Sequence, residues 1–135
     1  MVVDDEPLSR EAISAALERA NLKATSFADP LAAYETLTRE SCDLVISDVN
    51  MPGLDGFELC KRRRKLPNHT ATPVIFVTAS DSFERHLRAA QSGGSDFIVK
   101  PVHFVELAVK ALIGAMQSRL SAGSPHFQRF AGGAT

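Results

Sequence analysis

The chain reads as an α/β protein built on a parallel sheet, and three observations carry that reading. Short apolar runs of strand length alternate with longer stretches of helical spacing. Each run is bounded by turn residues and is apolar throughout, as strands buried on both faces are. Polar signals close four of the runs: Asp4-Asp5 after residues 1–3, Asp48 after 44–46, Thr78 after 74–77 and Lys100 after 97–99. In open α/β sheets the groups at the carboxyl ends of strands converge on one crevice, where ligands bind. Carboxylates, a hydroxyl and an ammonium are therefore expected to meet.

The elements follow in order. Residues 1–3 form the first strand; Pro7 suits a first helical turn, and Leu8, Ala12, Ile13, Ala16, Leu17 and Ala20 then recur at helical spacing. Residues 24–27 make a short, weak strand. Asp29-Pro30 is an N-cap with proline at the first helical position, opening a helix through about Thr38. The third strand is 43–47, and a turn-rich loop over 48–56 leads into a helix with Phe57, Leu59, Cys60 and the basic run 61–65, closed by Pro67. Residues 73–78 form the fourth strand, 82–92 a helix ended by Gly93-Gly94, and 96–100 the fifth strand. From Phe104 to Leu120, Val105, Leu107, Ala108, Val109, Leu112, Ile113 and Met116 give a fifth helix. Gly123 and Pro125 are expected to end it, leaving 121–135 as a flexible tail or linker after a domain over 1–120.

Composition narrows the function. With 135 residues and 44% hydrophobic content the chain suits one domain with a proper core. Fifteen basic against sixteen acidic residues give a formal charge of -1, so no basic field for direct nucleic-acid binding exists. Cys42 and Cys60 lack metal or redox spacing and read as buried or half-buried thiols of a reducing compartment. The apolar stretches are too short to span a bilayer and no signal-peptide pattern opens the chain, so the expected place is the cytoplasm, away from membrane.

The polar signals and their neighbours resemble a known family. Val2-Val3-Asp4-Asp5-Glu6, Asp48 with Met51-Pro52-Gly53 and Asp55-Gly56, Val77-Thr78-Ala79 and Lys100-Pro101 are similar to the matching pieces of the response-regulator receiver domain of two-component signalling, the chemotaxis-regulator type. The resemblance runs over about 1–120. It implies a doubly wound, five-stranded parallel sheet of flavodoxin-like order 2-1-3-4-5 with five helices on both faces.

The resemblance also implies a chemistry: Asp48 takes a phosphoryl group from a phosphohistidine on a histidine kinase or histidine phosphotransfer protein. A carboxylate is a competent nucleophile for this, and aspartyl phosphate is an established kind of intermediate. An anionic donor must approach three carboxylates, and Mg²⁺ removes that obstacle as a hard cation that suits oxygen ligands. By resemblance the ligands would be Asp5, Asp48 and the Asn50 carbonyl, with Asp4 acting through water. Lys100 would pair with phosphoryl oxygens and Thr78 would donate its hydroxyl. Thr78 and Phe97, three before the lysine, would form the switch, with an enlarged inward population because Phe97 has no hydroxyl. The Lys100-Pro101 bond is expected to be cis. Asn50 and Ser80 sit where the family tunes acyl-phosphate lifetime, and neither is a strong acid or base, so a moderate lifetime is expected.

Taken singly, each of these residues has a plain structural reading: Asp4-Asp5 as a cap before Pro7, Asp48 as a loop cap, Thr78 and Lys100 as ordinary strand-end residues, Phe97 as core. The basic run 61–65 reads as a solvated face opposing the helix dipole, and His69, His86, His103 and His126 as scattered surface residues. The expected protein is a phosphoacceptor switch rather than an enzyme of turnover, acting on a downstream target or output domain. It stands alone or is the receiver part of a longer regulator or hybrid kinase, and can homodimerise through the fourth helix, fifth strand and fifth helix. Two rivals are weaker. A Mg²⁺-dependent phosphatase with an aspartyl-phosphate intermediate would want an acid where Asn50 stands, and a nucleotide or flavin module would want a phosphate loop where Asp4-Asp5-Glu6 repels phosphate.

Overall fold

The structure, a computed structural model, describes residues 1–79 and 82–131, with the backbone alone for 83 and 121–131. Along the chain come β1 (Val2–Val3), α1 (Pro7–Arg19), β2 (Ser26–Phe27), α2 (Pro30–Arg39), β3 (Val45–Asp48), α3 (Gly56–Arg64), β4 (Val74–Thr78), α4 (Phe83–Ser92), β5 (Asp96–Val99) and α5 (Phe104–Ala131). All strand pairs are parallel and their order is β2-β1-β3-β4-β5, as the resemblance implied.

Period-two alternation in the strands builds two cores. Val3, Val45, Phe76 and Phe97 point to one face, where they meet Leu37 of α2, Phe57 and Leu59 of α3 and Ala89 of α4. Val2, Ile46, Ile75, Val77 and Ile98 point to the other, against Ile13 and Leu17 of α1 and Leu107 and Ala111 of α5. A continuous apolar run such as residues 74–77 is what burial on both faces demands.

Local chemistry sets the helix ends. Asp29 accepts from Leu31 N at 3.0 Å, Asp55 from Glu58 N at 2.8 Å and Ser82 from Arg85 N at 3.2 Å, each as an N-cap. Gly93 closes α4 with φ 92°, a left-handed backbone that side chains resist.

Three expectations are corrected. The helix does not stop after Leu120: α5 runs 28 residues, across Gly123 and Pro125, to Ala131. A proline forfeits one ladder bond, and a helix survives it where water or a neighbour serves the freed carbonyl. Residues 132–135 lie outside the described residues. The basic run is not uniformly solvated, since Arg63 is 4% exposed and donates to the carbonyls of His69, Thr70 and Gly93. His69 is fully buried, with Nδ1 2.9 Å from Thr72 Oγ1 and Nε2 2.8 Å from the Glu40 carbonyl. A 3.6-residue period cannot reveal that one cation of five turns inward to meet carbonyls from distant loops.

Candidate functional site

Five parallel strands end along one edge, and that edge carries the polar residues singled out in the sequence. Asp4 follows β1, Asp48 is the last residue of β3, Thr78 the last of β4, and Lys100 follows β5. The ladder pairs Asp48 with Val77 and Thr78 with Val99, so β3, β4 and β5 end nearly level. Lys100 N donates to the Thr78 carbonyl at 2.7 Å, extending the ladder by one residue. The Lys100-Pro101 bond is cis.

Asp4 is wholly buried. Its Oδ1 accepts from Glu6 N at 2.9 Å, and its own carbonyl accepts from Arg10 Nη1 at 2.8 Å. Asp5 beside it is exposed. One oxygen from each of Asp4, Asp5 and Asp48 lies within 4.8 Å of the others, a spacing that one small cation can span. Lys100 Nζ stands 3.4 Å from Asp4 Oδ2 and 3.7 Å from Asp48 Oδ1. Among the described residues, three clustered carboxylates thus meet a single ammonium.

The consequence is visible in Asp48, whose pKa is pushed up to about 6. Desolvation is the largest cause, followed by the charge of Asp4; Lys100 and the Val49 N–H, which donates to Oδ1 at 3.0 Å, work the other way. Burial and crowding by like charge outweigh one lysine. A cation among these oxygens would relieve that excess, so the donor set fits a hard, oxygen-seeking divalent ion such as Mg²⁺.

The α3 start closes the back of the site. Gly56 N donates to the Val49 carbonyl at 2.9 Å, and a side chain at Gly56 would strike the Asp48 carbonyl oxygen. Asn50 is exposed in this loop, two residues past Asp48. Thr78 is buried, and Phe97 is buried on the α4 side with its ring stacked on His86, centroids 4.2 Å apart. Phe97 is thus set apart from the carboxylates, as a residue of the fold's α4 face. Ser80 lies outside the described residues.

Sequence reasoning missed Arg10, Gly56 and His86. Arg10 sits six residues past Asp4, in the first turn of a helix whose start faces the site. In the sequence Gly56 is one letter of the Asp55-Gly56 motif, and only the close approach of the Asp48 backbone explains it. His86 carries no sequence signal toward Phe97, since the contact joins two elements.

Comparisons with known proteins agree with this geometry. The family model "Response regulator receiver domain" matches residues 1–112. The cyclic di-GMP phosphodiesterase response regulator RpfG of Xanthomonas campestris is 34% identical over 112 residues, covering 82% of this chain but 30% of RpfG. The chain therefore spans under a third of that relative's length. Among solved structures, chemotaxis protein CheY4 of Vibrio cholerae is 32% identical with TM-score 0.76, covering 82% of this chain and 92% of the other. The receiver domain of sensor histidine kinase PA1611 from Pseudomonas aeruginosa, solved with magnesium coordinated in its active-site cleft, is 26% identical with TM-score 0.78, covering 84% and 93%. No helix among the described residues is long and apolar enough to cross a membrane. Matched over most of its length, folded in the family's strand order and carrying an acidic cluster at the strand ends, the chain belongs to the response regulator receiver domain family of two-component signalling.

Proposed function

We propose that Asp48 is the phosphoacceptor of this receiver, taking a phosphoryl group from a phosphohistidine on a histidine kinase or phosphotransfer protein. The observation that carries the reading is the convergence of Asp4, Asp5, Asp48 and Lys100 at one crevice. A carboxylate oxygen of Asp48 attacks phosphorus as the phosphorus–nitrogen bond breaks, the electron pair leaving with the imidazole. The Val49 N–H holds Oδ1 and so fixes the plane of the carboxylate. Lys100 lies beside both Asp4 and Asp48, where its ammonium can meet the incoming phosphoryl oxygens as a point charge. Thr78, the last residue of the neighbouring strand β4, would donate its hydroxyl to the same group. Mg²⁺, held by the Asp5 and Asp48 carboxylates and the Asn50 carbonyl with Asp4 behind, would neutralise the charge that otherwise repels the donor. No general base is required, because the ionised carboxylate has no proton to lose. At neutral pH a group titrating near 6 is mostly ionised.

Switching follows from Thr78 and Phe97 as a two-state shift that phosphorylation biases. The downstream face is α4, β5 and α5, and exposed apolar residues on α5, among them Val109, Ile113 and Met116, support a homodimer there. Turnover chemistry is limited to the chain's own phosphorylation and dephosphorylation, in the cytoplasm where kinases of this kind act. A second reading, the receiver part of a longer regulator, draws on the greater length of RpfG and on an α5 that runs well past the matched residues. An antibody raised to the chain would show the mass of the native polypeptide.

The test is acetyl phosphate with Mg²⁺, followed by intact mass. One added phosphoryl group that vanishes in Asp48→Asn and without metal is expected. Addition that persists in Asp48→Asn would overturn the assignment, and so would failure of both acetyl phosphate and beryllofluoride to engage the site.

A further inference from the structure

Arg63 of α3 lies far from the carboxylates, at the edge where helices hand over to strands. Among the described residues it makes no ion pair. Its Nη1 donates to the carbonyls of His69 at 3.1 Å and Thr70 at 2.9 Å, and its Nη2 to the carbonyl of Gly93 at 2.7 Å. Nη2 also lies 3.6 Å from Cys60 Sγ. A buried guanidinium held by backbone dipoles thus ties α3 to a residue 30 positions away in sequence. The accepting loop after α3 is itself braced, since the His69 ring bridges Thr72 Oγ1 and the Glu40 carbonyl at the end of α2.

Gly93 is the cap of α4. Gly93 N donates to the Ala90 carbonyl at 3.1 Å, Gly94 N to that of Ala89 at 2.9 Å, and Ser92 Oγ to the same Ala89 carbonyl at 2.8 Å. A side chain at Gly94 would strike the Phe76 ring, and one at Gly93 the Arg64 guanidinium. The C-terminal end of α4 is thus closely gripped. Its first half is held differently. Of the described side chains over 84–88 none is buried. Arg88 lies 4.5 Å over the Phe57 ring and 3.9 Å from Asp55, and the His86 ring stacks on Phe97.

We propose that Arg63 is a positioning residue that fixes the C-terminal end of α4 at Gly93, so that any displacement of α4 is a swing of its other end, carrying His86 across Phe97. At about 1.5 Å rise per residue, His86 stands about 10 Å from Gly93, and a swing of about 20° moves it by about 3.5 Å. That suffices to break a ring stack of 4.2 Å. What drives the swing rests on the phosphoacceptor reading above; the tether itself does not.

Amide hydrogen exchange on the whole chain tests it. In the wild type the amides of Gly93 and Gly94 are expected to exchange at least tenfold more slowly than those of 87 and 88. Arg63→Met is expected to abolish that difference while leaving the order of protection among β3, β4 and β5 unchanged, which global loss of stability would not do. Arg63→Lys, which keeps a donor, restores part of it. Even protection along wild-type α4 would overturn the proposal, and that measurement needs no variant. Beryllofluoride with Mg²⁺ gives the second arm: amide shifts should change at His86 and Phe97 and stay still at Gly93 and Gly94. Equal changes at both ends would overturn the tether. No change anywhere, including at Asp48 and Thr78, would count against the phosphoacceptor reading, and the exchange gradient would then still decide on Arg63.

Discussion

Two buried charges sit at opposite edges of the same sheet and are treated in opposite ways. Arg63, at the edge where strands begin, has its two terminal nitrogens held by carbonyl oxygens, while its Nε is buried with no hydrogen-bond partner among the described residues. Asp4, at the edge where strands end, is surrounded by more of its own charge, Asp5 and Asp48, against one shared lysine. Backbone dipoles are fixed by the fold and always present, so the first arrangement holds its Nη1 and Nη2 donors without a ligand. The second leaves an excess of negative charge that helps burial drive the Asp48 pKa up to about 6. An unbalanced site is one that a cation and a phosphoryl group can change, and a balanced one is a place from which movement can be anchored.

Removing Arg63 should show the larger effect. Arg63→Met takes the guanidinium donor from the Thr70 and Gly93 carbonyls and leaves the His69 carbonyl with Thr72 N alone, and each carbonyl left unpaired costs about 1–3 kcal/mol before relaxation and water repair. A net loss of about 3 kcal/mol is expected in urea unfolding, with an unchanged m-value. A loss under about 1 kcal/mol would mean that water serves those carbonyls equally well.

At the other edge, neutralising Asp48 should stabilise the protein in the absence of metal. The folded state holds its proton more tightly than the unfolded chain, whose carboxyl titrates near the ordinary 3.8. Stability is therefore lost as pH rises from about 4 through about 6, and the full cost stands above that window. The separation corresponds to at most about 3 kcal/mol, and solvent at the open mouth reduces it to about 1–2 kcal/mol. Asp48→Asn should match the wild type in Tm near pH 4 and exceed it by several degrees at pH 8. Saturating Mg²⁺ should close the gap from the wild-type side, by about 2.7 kcal/mol at a hundredfold excess over Kd. If Asp48→Asn gave no gain at pH 8, the carboxylates would be better solvated than their crowding implies.

The site was more legible in the sequence than its surroundings were. Asp4, Asp5, Asp48, Thr78 and Lys100 each end an apolar run, and strand ends in a parallel sheet converge whatever lies between them, so one-dimensional spacing sufficed. Strand order needed the resemblance, because five interchangeable apolar runs carry no pairing information of their own. Arg63 and His69 are buried where a solvated surface was expected, and His86, exposed as expected, makes an unexpected stack on Phe97. Their partners are a loop carbonyl 30 residues away, a helix end 29 residues away and a ring on another element. Such contacts leave no period behind. The end of α5 was misplaced for a related reason: glycine and proline weaken a helix without forbidding it.

The smallest predicted effect is the sharpest control on the comparison, because it falls inside the same basic run as the largest. Lys61 and Arg63 are two residues apart on α3, and to composition or charge they are alike. Lys61 is exposed, near the helix C-terminus, where a cation gains at most about 0.3–1 kcal/mol from the dipole and salt screens most of that. Lys61→Ala should therefore change unfolding free energy by less than about 0.5 kcal/mol, and less still in roughly 0.5 M NaCl. Arg63→Met should keep its loss in the same salt, since a guanidinium enclosed by carbonyls is not reached by mobile ions. If both losses shrank alike with salt, Arg63 would be acting through the general field of the run, and the contrast between a charge held by the backbone and a charge left for a ligand would fall with it.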